Sequence, residues 1–334
     1  MANLTKDFFI GLSNNRVLNE SAKKWGFRMG AEKFVAGTNM DSVADTVHEL
    51  NRRGICCTLD HLGEFVTEKE EALEAKEECI HILEKIHADE LDCHLSVKLT
   101  KLGLDIDESF CIENMKELLA VAEQYGIFIN IDMEDYSHYQ QTIDVLQLLR
   151  KDYENVGTVV QSYLFRTQND LEGLKDVRLR LVKGAYKESP DVAYHDKKAI
   201  DENFLSIAKQ RLLGDAFTSI ATHDHFIISE LKDFVKEHQI DKDTFEFQML
   251  YGFRNDLQFA LAEEGYNFCT YIPFGTDWFG YFMRRLAERP QNMNLVLKDT
   301  FYTKDNKLKK EPLIAGGLAA GTLLLMLGRK KKVK

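Results

Sequence analysis

Two hydrophobic rhythms alternate along the chain. From about residue 55, short apolar runs alternate with longer stretches in which apolar positions recur every three to four residues. The runs are "ICCTLD" (55–60), "CHLSVKL" (93–99), "IFINIDM" (127–133), "GTVVQSY" (157–163), "VRLRLVKG" (177–184), "TSIATHD" (218–224), "TFEFQML" (244–250) and "NFCTYIP" (267–273). Between them the spacing predicts helices over 67–90, 108–125, 137–153, 199–213, 226–238 and 254–264, with a short fourth helix near 168–175 and a last one holding Arg284 and Arg285. Upstream, "NESAKKWGFRMGAEKFVAG" and "NMDSVADTVHELNRRG" each start at a capping residue and read as helices. Eight βα units with strands too apolar for a wet face predict a parallel sheet covered by helices. Eight is the closing number of a (βα)8 TIM-type barrel. A doubly wound open sheet is the alternative, but no GxGxxG follows the first strand. The expected division is an N-terminal helical segment (1–50), a barrel (51–295) and a tail (296–334) with an extra C-terminal apolar helix.

Charge narrows the function classes. The net charge of −11 argues against a nucleic-acid surface, which needs a basic stripe. The six cysteines form no CxxC pair and no metal-ligand spacing, so they read as buried reduced thiols with no metal implied. "MANLTKDFFIGLSNN" lacks a basic region followed by an apolar core, so no signal peptide and a reducing, cytoplasmic setting are expected.

In a barrel of this type the chemistry sits at the C-terminal strand ends. Those ends carry Lys98, Asp132, Gln161, Arg180 with Lys183, Thr222 with His223, Gln248 and Tyr271. Lys98 and Asp132, from neighbouring strands, read either as a structural ion pair or as a polar floor under a substrate. "DMED" does not aim its three acids one way, and "HDH" at 223–225 lacks further histidines from other strands, so neither predicts a metal. Lys183 suits a Schiff base, but the small Gly184 and Ala185 after it suit the close approach of a bulky or phosphate-bearing group. An Arg180/Lys183 pair then fits an anionic cofactor. In "YFMRRLAER" (281–289), Tyr281, Arg284 or Arg285 and Glu288 share one helical face. Over the barrel mouth, two guanidinium forks would grip a carboxylate, and the nearby aromatics would enclose an aliphatic body.

The motifs "SVKL", "IDMED", "VVQSY", "RLVKGAYKE", "ATHD", "FEFQMLYG" and "YFMRRLAERPQN" occur in that order. Together, over about 45–292, they resemble proline dehydrogenase of the single-function bacterial type; any one alone is a weak signal. The resemblance implies a barrel that holds FAD non-covalently, oxidises L-proline to Δ1-pyrroline-5-carboxylate by hydride transfer to the flavin N5, and passes electrons to a quinone. A pyrroline-5-carboxylate dehydrogenase would take the product. Carried over by motif, Arg284 and Arg285 bind the carboxylate with Lys98 as a third cation, and Asp132 and Arg180 are the active-site acid and cation. Met133, Gln161, Lys183, Gly184, Ala185, Thr222 and His223 contact FAD, and Leu250, Tyr271 and Tyr281 pack around the pyrrolidine ring. Asp224 in "ATHD" stands where an amide is common in the family.

Three other readings remain at this point: a folate-reductase-like flavin barrel, a Schiff-base lyase built on Lys183, and a non-catalytic, membrane-tethered binding protein. The tail bears on the last. Residues 313–328 are uncharged and almost wholly apolar, and a basic cluster follows. As a helix they reach about 24 Å, short of a hydrocarbon core of roughly 30 Å. The expectation is an anchor on the cytoplasmic (inner) membrane face, with the basic end drawn to anionic lipid.

Overall fold

The structure, a computed structural model, describes residues 31–63 and 66–288. Residues 19–30 of the first expected helix, and the whole apolar tail, lie outside the described residues, and its described end holds only a 3-10 turn at Ala31–Lys33. All eight expected strands form: β1 (Cys56–His61), β2 (Cys93–Val97), β3 (Ile129–Ile131), β4 (Val156–Gln161), β5 (Leu179–Val182), β6 (Thr218–Ala221), β7 (Phe245–Leu250) and β8 (Phe268–Phe274). They pair in chain order, all parallel, and β8 pairs with β1 to close the barrel. The open doubly wound alternative is thereby excluded.

Helices α1 (Met40–Asn51), α2 (Lys69–Ala88), α3 (Glu108–Gln124), α4 (Tyr136–Leu149), α5 (Thr167–Asp170), α6 (Lys197–Leu212), α7 (His225–Glu237) and α8 (Asn255–Glu263) fall where the apolar spacing placed them. Their starts have local causes. Asn39, Asp107, Asp135, Asp196 and Asp224 each accept a backbone N–H of the first turn. The fourth helix is a single turn followed by a 3-10 turn at Glu172–Leu174.

The chain divides into two compact units, Phe34–Thr276, which holds the barrel, and a second made of 1–33 and 277–334. The described part of the second is a 3-10 turn, Ala31–Lys33, and helix α9 (Trp278–Glu288).

The strands differ from their reading in one respect that matters. The outward row is mainly apolar: Leu59, Leu95, Ile129, Leu181, Ile220 and Phe247 are buried in the core. The inward row is mainly polar, with Val159, Ala221 and Leu250 among its apolar members. Arg180 on β5 reaches Ser96 Oγ on β2 at 3.0 Å and Thr58 Oγ1 on β1 at 3.4 Å. Three strands not all adjacent thus meet inside the barrel. The strands read as dry on both sides because the alternating polar residues are small (Thr, Ser, Asn) and do not break an apolar run.

Candidate active site

At the C-terminal ends of β1, β2, β3, β5 and β8 the inward side chains form one bonded array. Lys98 Nζ donates to Asp60 Oδ1 at 2.9 Å and lies 3.6 Å from Asp132 Oδ2. Arg180 Nη1 donates to Asp132 Oδ1 at 2.7 Å, and Asn130 Nδ2 donates to the same oxygen at 3.2 Å. Tyr271 Oη donates to Asp132 Oδ2 at 2.8 Å, while its ring lies 5.1 Å from the Arg180 guanidinium. Asp60, Lys98 and Arg180 are buried. Two carboxylates thus balance two cations, and these partners offset the desolvation cost of the charges, with Arg180 Nε left unsatisfied. Burial alone would raise the Asp60 carboxyl; the charge and hydrogen bond of Lys98 outweigh it and hold Asp60 below its ordinary value. Burial, then the charge of Asp132, pushes Tyr271 far above the ordinary phenol range, so it stays a neutral donor. Both oxygens of Asp132 are engaged, so its role in the array is to fix Arg180 and Tyr271.

A second group lies at the ends of β4 to β7. Gln161 Nε2 donates to the carbonyls of Glu134 (3.0 Å) and Met133 (3.4 Å), tying β4 to the chain after β3. Lys183 does not pair with Arg180 in a common task. Its ammonium is held by Asp201 (2.5 Å) and Asp224 (3.2 Å), whereas Arg180 is spent inside the barrel. Asp224 also caps α7 through Phe226 N–H. Thr222 Oγ1 accepts from Asp224 N–H, and Thr222 N–H donates to the Gln248 carbonyl. His223 Nε2 accepts the Leu250 N–H at 3.1 Å, which puts the neutral ring's proton on Nδ1. Leu250 is half-buried, and Ala185 is exposed. In "DMED", Asp132 faces inward, Glu134 accepts from Thr100, and Asp135 caps α4, three different directions.

In the second unit, Tyr281 is buried and Arg284 and Arg285 are half-buried on α9. The Arg285 guanidinium lies 5.0 Å from the Tyr281 ring centroid.

Two observations test whether the second group suits a large planar cofactor. Gln161 Oε1 and Gln248 Oε1 are buried with no hydrogen-bond partner, acceptors suited to ring N–H donors. Gly184 has φ +111°, and an added Cβ would stand 2.3 Å from the Tyr163 ring, so the backbone after β5 stays bare. The residues present fit a flavin.

The sequence reading missed Asp60, Thr58, Ser96 and Asn130. Asp60 closes "ICCTLD" and carried a signal as a strand-end acid; the other three are small polar residues in apolar runs. It also missed a convergence at the opposite end of the barrel, where Cys56, His94 and Cys269 bring their donor atoms within 4.8 Å of one another. Three separate strands supply them, so no linear spacing announces the group.

Comparison with known proteins gives a consistent result. The profile of the family described as Proline dehydrogenase matches residues 43–297. Proline dehydrogenase 1 of Bacillus subtilis (strain 168) is 47% identical over 297 residues, 88% of this chain and 98% of its own. Proline dehydrogenase of Deinococcus radiodurans is 42% identical over 283 residues, 83% of this chain and 90% of its own. Among solved structures, proline utilization A (PutA) from Bdellovibrio bacteriovorus, inactivated by N-propargylglycine, superposes with a TM-score of 0.73 at 24% identity and shares the fold. That match covers 83% of this chain and 34% of the PutA chain, so the chain spans about a third of that protein.

Proposed function

The chain belongs to the proline dehydrogenase family, enzymes of proline oxidation, and from that premise we propose that it oxidises L-proline to Δ1-pyrroline-5-carboxylate with FAD and a quinone acceptor. The observation that carries this reading is the buried array of Asp60, Lys98, Asp132, Arg180 and Tyr271 at the C-terminal strand ends. It is a fixed set of dipoles whose members are already paired, so little reorganisation is needed when a zwitterionic substrate arrives.

FAD, when bound, supplies the acceptor for the hydride that leaves proline C5. Gln161, Thr222, His223, Met133 and the bare backbone at Gly184 and Ala185 would hold it. Lys183, held between Asp201 and Asp224, would face its anionic part as one member of a near-neutral cluster. That bonding also speaks against the Schiff-base reading, which needs a free amine. Lys98 presents positive charge to the substrate carboxylate. Asp132 positions the Tyr271 ring and Arg180, and Tyr271, with Leu250, shapes the apolar surround of the pyrrolidine ring. Arg284 and Arg285, by the family resemblance, would bind that carboxylate. Holding the ring in one pose is the larger part of the catalysis, because hydride transfer demands near-attack geometry. The amine proton leaves to solvent, since both Asp132 oxygens are already occupied.

The test is optical and chemical. Purified protein should be yellow, and anaerobic L-proline should bleach it while pyrroline-5-carboxylate, trapped with an aminobenzaldehyde, accumulates one per flavin. A colourless protein, or a flavin that proline leaves oxidised, would refute the reading. Arg284→Met and Arg285→Met should each cost about 2–4 kcal/mol in kcat/KM with flavin retained. An unchanged KM with a lowered Tm would make these arginines structural.

Among the described residues no helix is long and apolar enough to cross a membrane. For the tail we keep the anchor reading, supported by the apolar stretch 313–328 and its basic end. Deleting 312–334 should lower membrane association and quinone-linked turnover and spare turnover with a soluble dye. Equal quinone turnover in both forms would defeat it.

A further inference from the structure

We propose that the N-terminal end of the barrel carries a metal site in which Cys56 Sγ, Cys269 Sγ and His94 Nε2 bind one zinc ion and pin β8, β1 and β2 together. It lies two residues before Thr58, Tyr271 and Ser96 on the same inward rows, apart from the array that serves proline.

The geometry is close to what zinc needs. The three donor atoms lie within 4.8 Å of one another, and Cys56 Sγ is 3.9 Å from His94 Nε2. A tetrahedral ion with Zn–S near 2.3 Å and Zn–N near 2.0 Å sets its ligand atoms roughly 3.5–3.8 Å apart. Shifts of an ångström or less close the site. The backbone brings the donors together without strain, because Cys56 and Cys269 are register partners across the β1–β8 seam, and His94 pairs with Thr58 on the other side of β1. Two thiols and an imidazole form a soft donor set that selects zinc over calcium or magnesium.

Access and charge also fit. Cys269 is fully buried, while Cys56 and His94 are half-buried and line a cleft of about 220 Å³ with Asp92, Arg178 and Glu246. Water in that cleft supplies the fourth ligand. Two thiolates and Zn²⁺ sum to zero, so the neighbouring Arg178–Glu246 pair, at 3.4 Å, meets no added charge. Arg178 Nη2 donates toward His94 Nδ1 at 3.5 Å, which places the neutral imidazole's proton on Nε2 before metal binds. Zinc on Nε2 moves that proton to Nδ1 and leaves Arg178 to Glu246. Binding releases the two thiol protons; no redox step is involved. The ion would clasp the seam where the first and last strands meet, the contact with the longest intervening chain in the barrel.

The experiment uses the full-length flavoprotein, stripped with a chelator under reducing conditions and titrated with zinc alone. After gel filtration, metal analysis should find one zinc per chain, and zinc X-ray absorption should show two sulfur neighbours and one imidazole. The Tm should rise by several degrees and fall back on adding chelator. His94→Ala and Cys269→Ser should each abolish retention. If Cys269→Ser fails to retain flavin, Cys56→Ser at the half-exposed position carries the test. No retained zinc in the wild type, retention unchanged in the variants, or a zinc spectrum without sulfur would each overturn the proposal.

Discussion

Arg178 and Arg180 stand two residues apart around the start of β5, and both side chains reach into the barrel. Arg180 meets Asp132, Ser96 and Thr58, all hydrogen-bonding groups. Arg178 lies between two aromatic rings, Phe128 and Phe217, each 4.3 Å from its guanidinium, with Glu246 at the side. Gly157 allows this plug, because a Cβ there would stand 2.2 Å from the Arg178 carbonyl and 2.8 Å from the Phe128 ring. Strand alternation alone puts both arginines inside; what their neighbours offer decides whether each becomes part of a site or part of a floor. Toward the C-terminal end the charges are balanced within a connected network. Toward the N-terminal end one half-buried cation is stacked between rings and paired with Glu246.

Substitutions sharpen that contrast. Asp132→Asn keeps the shape but frees Arg180 and Tyr271 from their shared carboxylate. It should lower kcat/KM for proline about 100- to 1000-fold, read in a dye-linked assay. Retention of most activity would move the chemistry elsewhere. Gly184→Ala puts a methyl against Tyr163 at a left-handed φ, so flavin content should fall and stability should drop by roughly 1–3 kcal/mol. Full flavin occupancy would remove this backbone from the cofactor's surroundings. Arg178→Met should behave oppositely to Asp132→Asn, with kcat/KM within about twofold and a loss of about 1–3 kcal/mol in denaturant unfolding, from lost stacking and a buried Glu246 left with hydrogen bonds from Ser219 and Gln248 but no countercharge. A large activity loss there would erase the division between the two ends.

The last contrast concerns pH. His61, at the end of β1, accepts from Lys101 Nζ at 2.9 Å; burial first, then the Lys101 charge, holds its imidazole down to about 3 from 6.5. The unfolded chain takes up that proton near pH 6.5 and the folded protein only near 3. The stability is present above pH 6.5 and is lost as pH falls through that window, by about 1.4 kcal/mol per pH unit. His61→Asn should flatten that part of the pH–stability curve. An unchanged slope would mean that His61 titrates normally.

Much of the fold was legible because outward strand positions and helix faces are apolar with the right periods, and because aspartates at helix starts mark the loops. Strand ends were less legible. β2, β3 and β5 stop earlier than the apolar runs, at the point where Lys98, Asp132 and Lys183 leave the ladder for other partners. The array was half legible. Lys98, Asp132, Arg180 and Tyr271 announce themselves as charged or polar strand ends, but the Asp60 partnership depends on register across the barrel. The Arg180/Lys183 pairing suggested by proximity in sequence dissolves because three residues on a strand turn the side chain to the other face. The cysteine–histidine cluster was invisible for the same reason that Asp60's partner was: neighbours around a barrel are far apart in the chain, and Cys56 and Cys269 come from the first and last strands.

The most direct test of the account is a crystal structure of the flavoprotein soaked anaerobically with L-proline after chemical reduction, so that the substrate binds without turnover. The account expects ring density at the C-terminal strand ends, beside Lys98, Tyr271 and Leu250, with the carboxylate near Lys98. Ring density beside Arg178 and His94 at the other end of the barrel, with the C-terminal array unchanged, would contradict it.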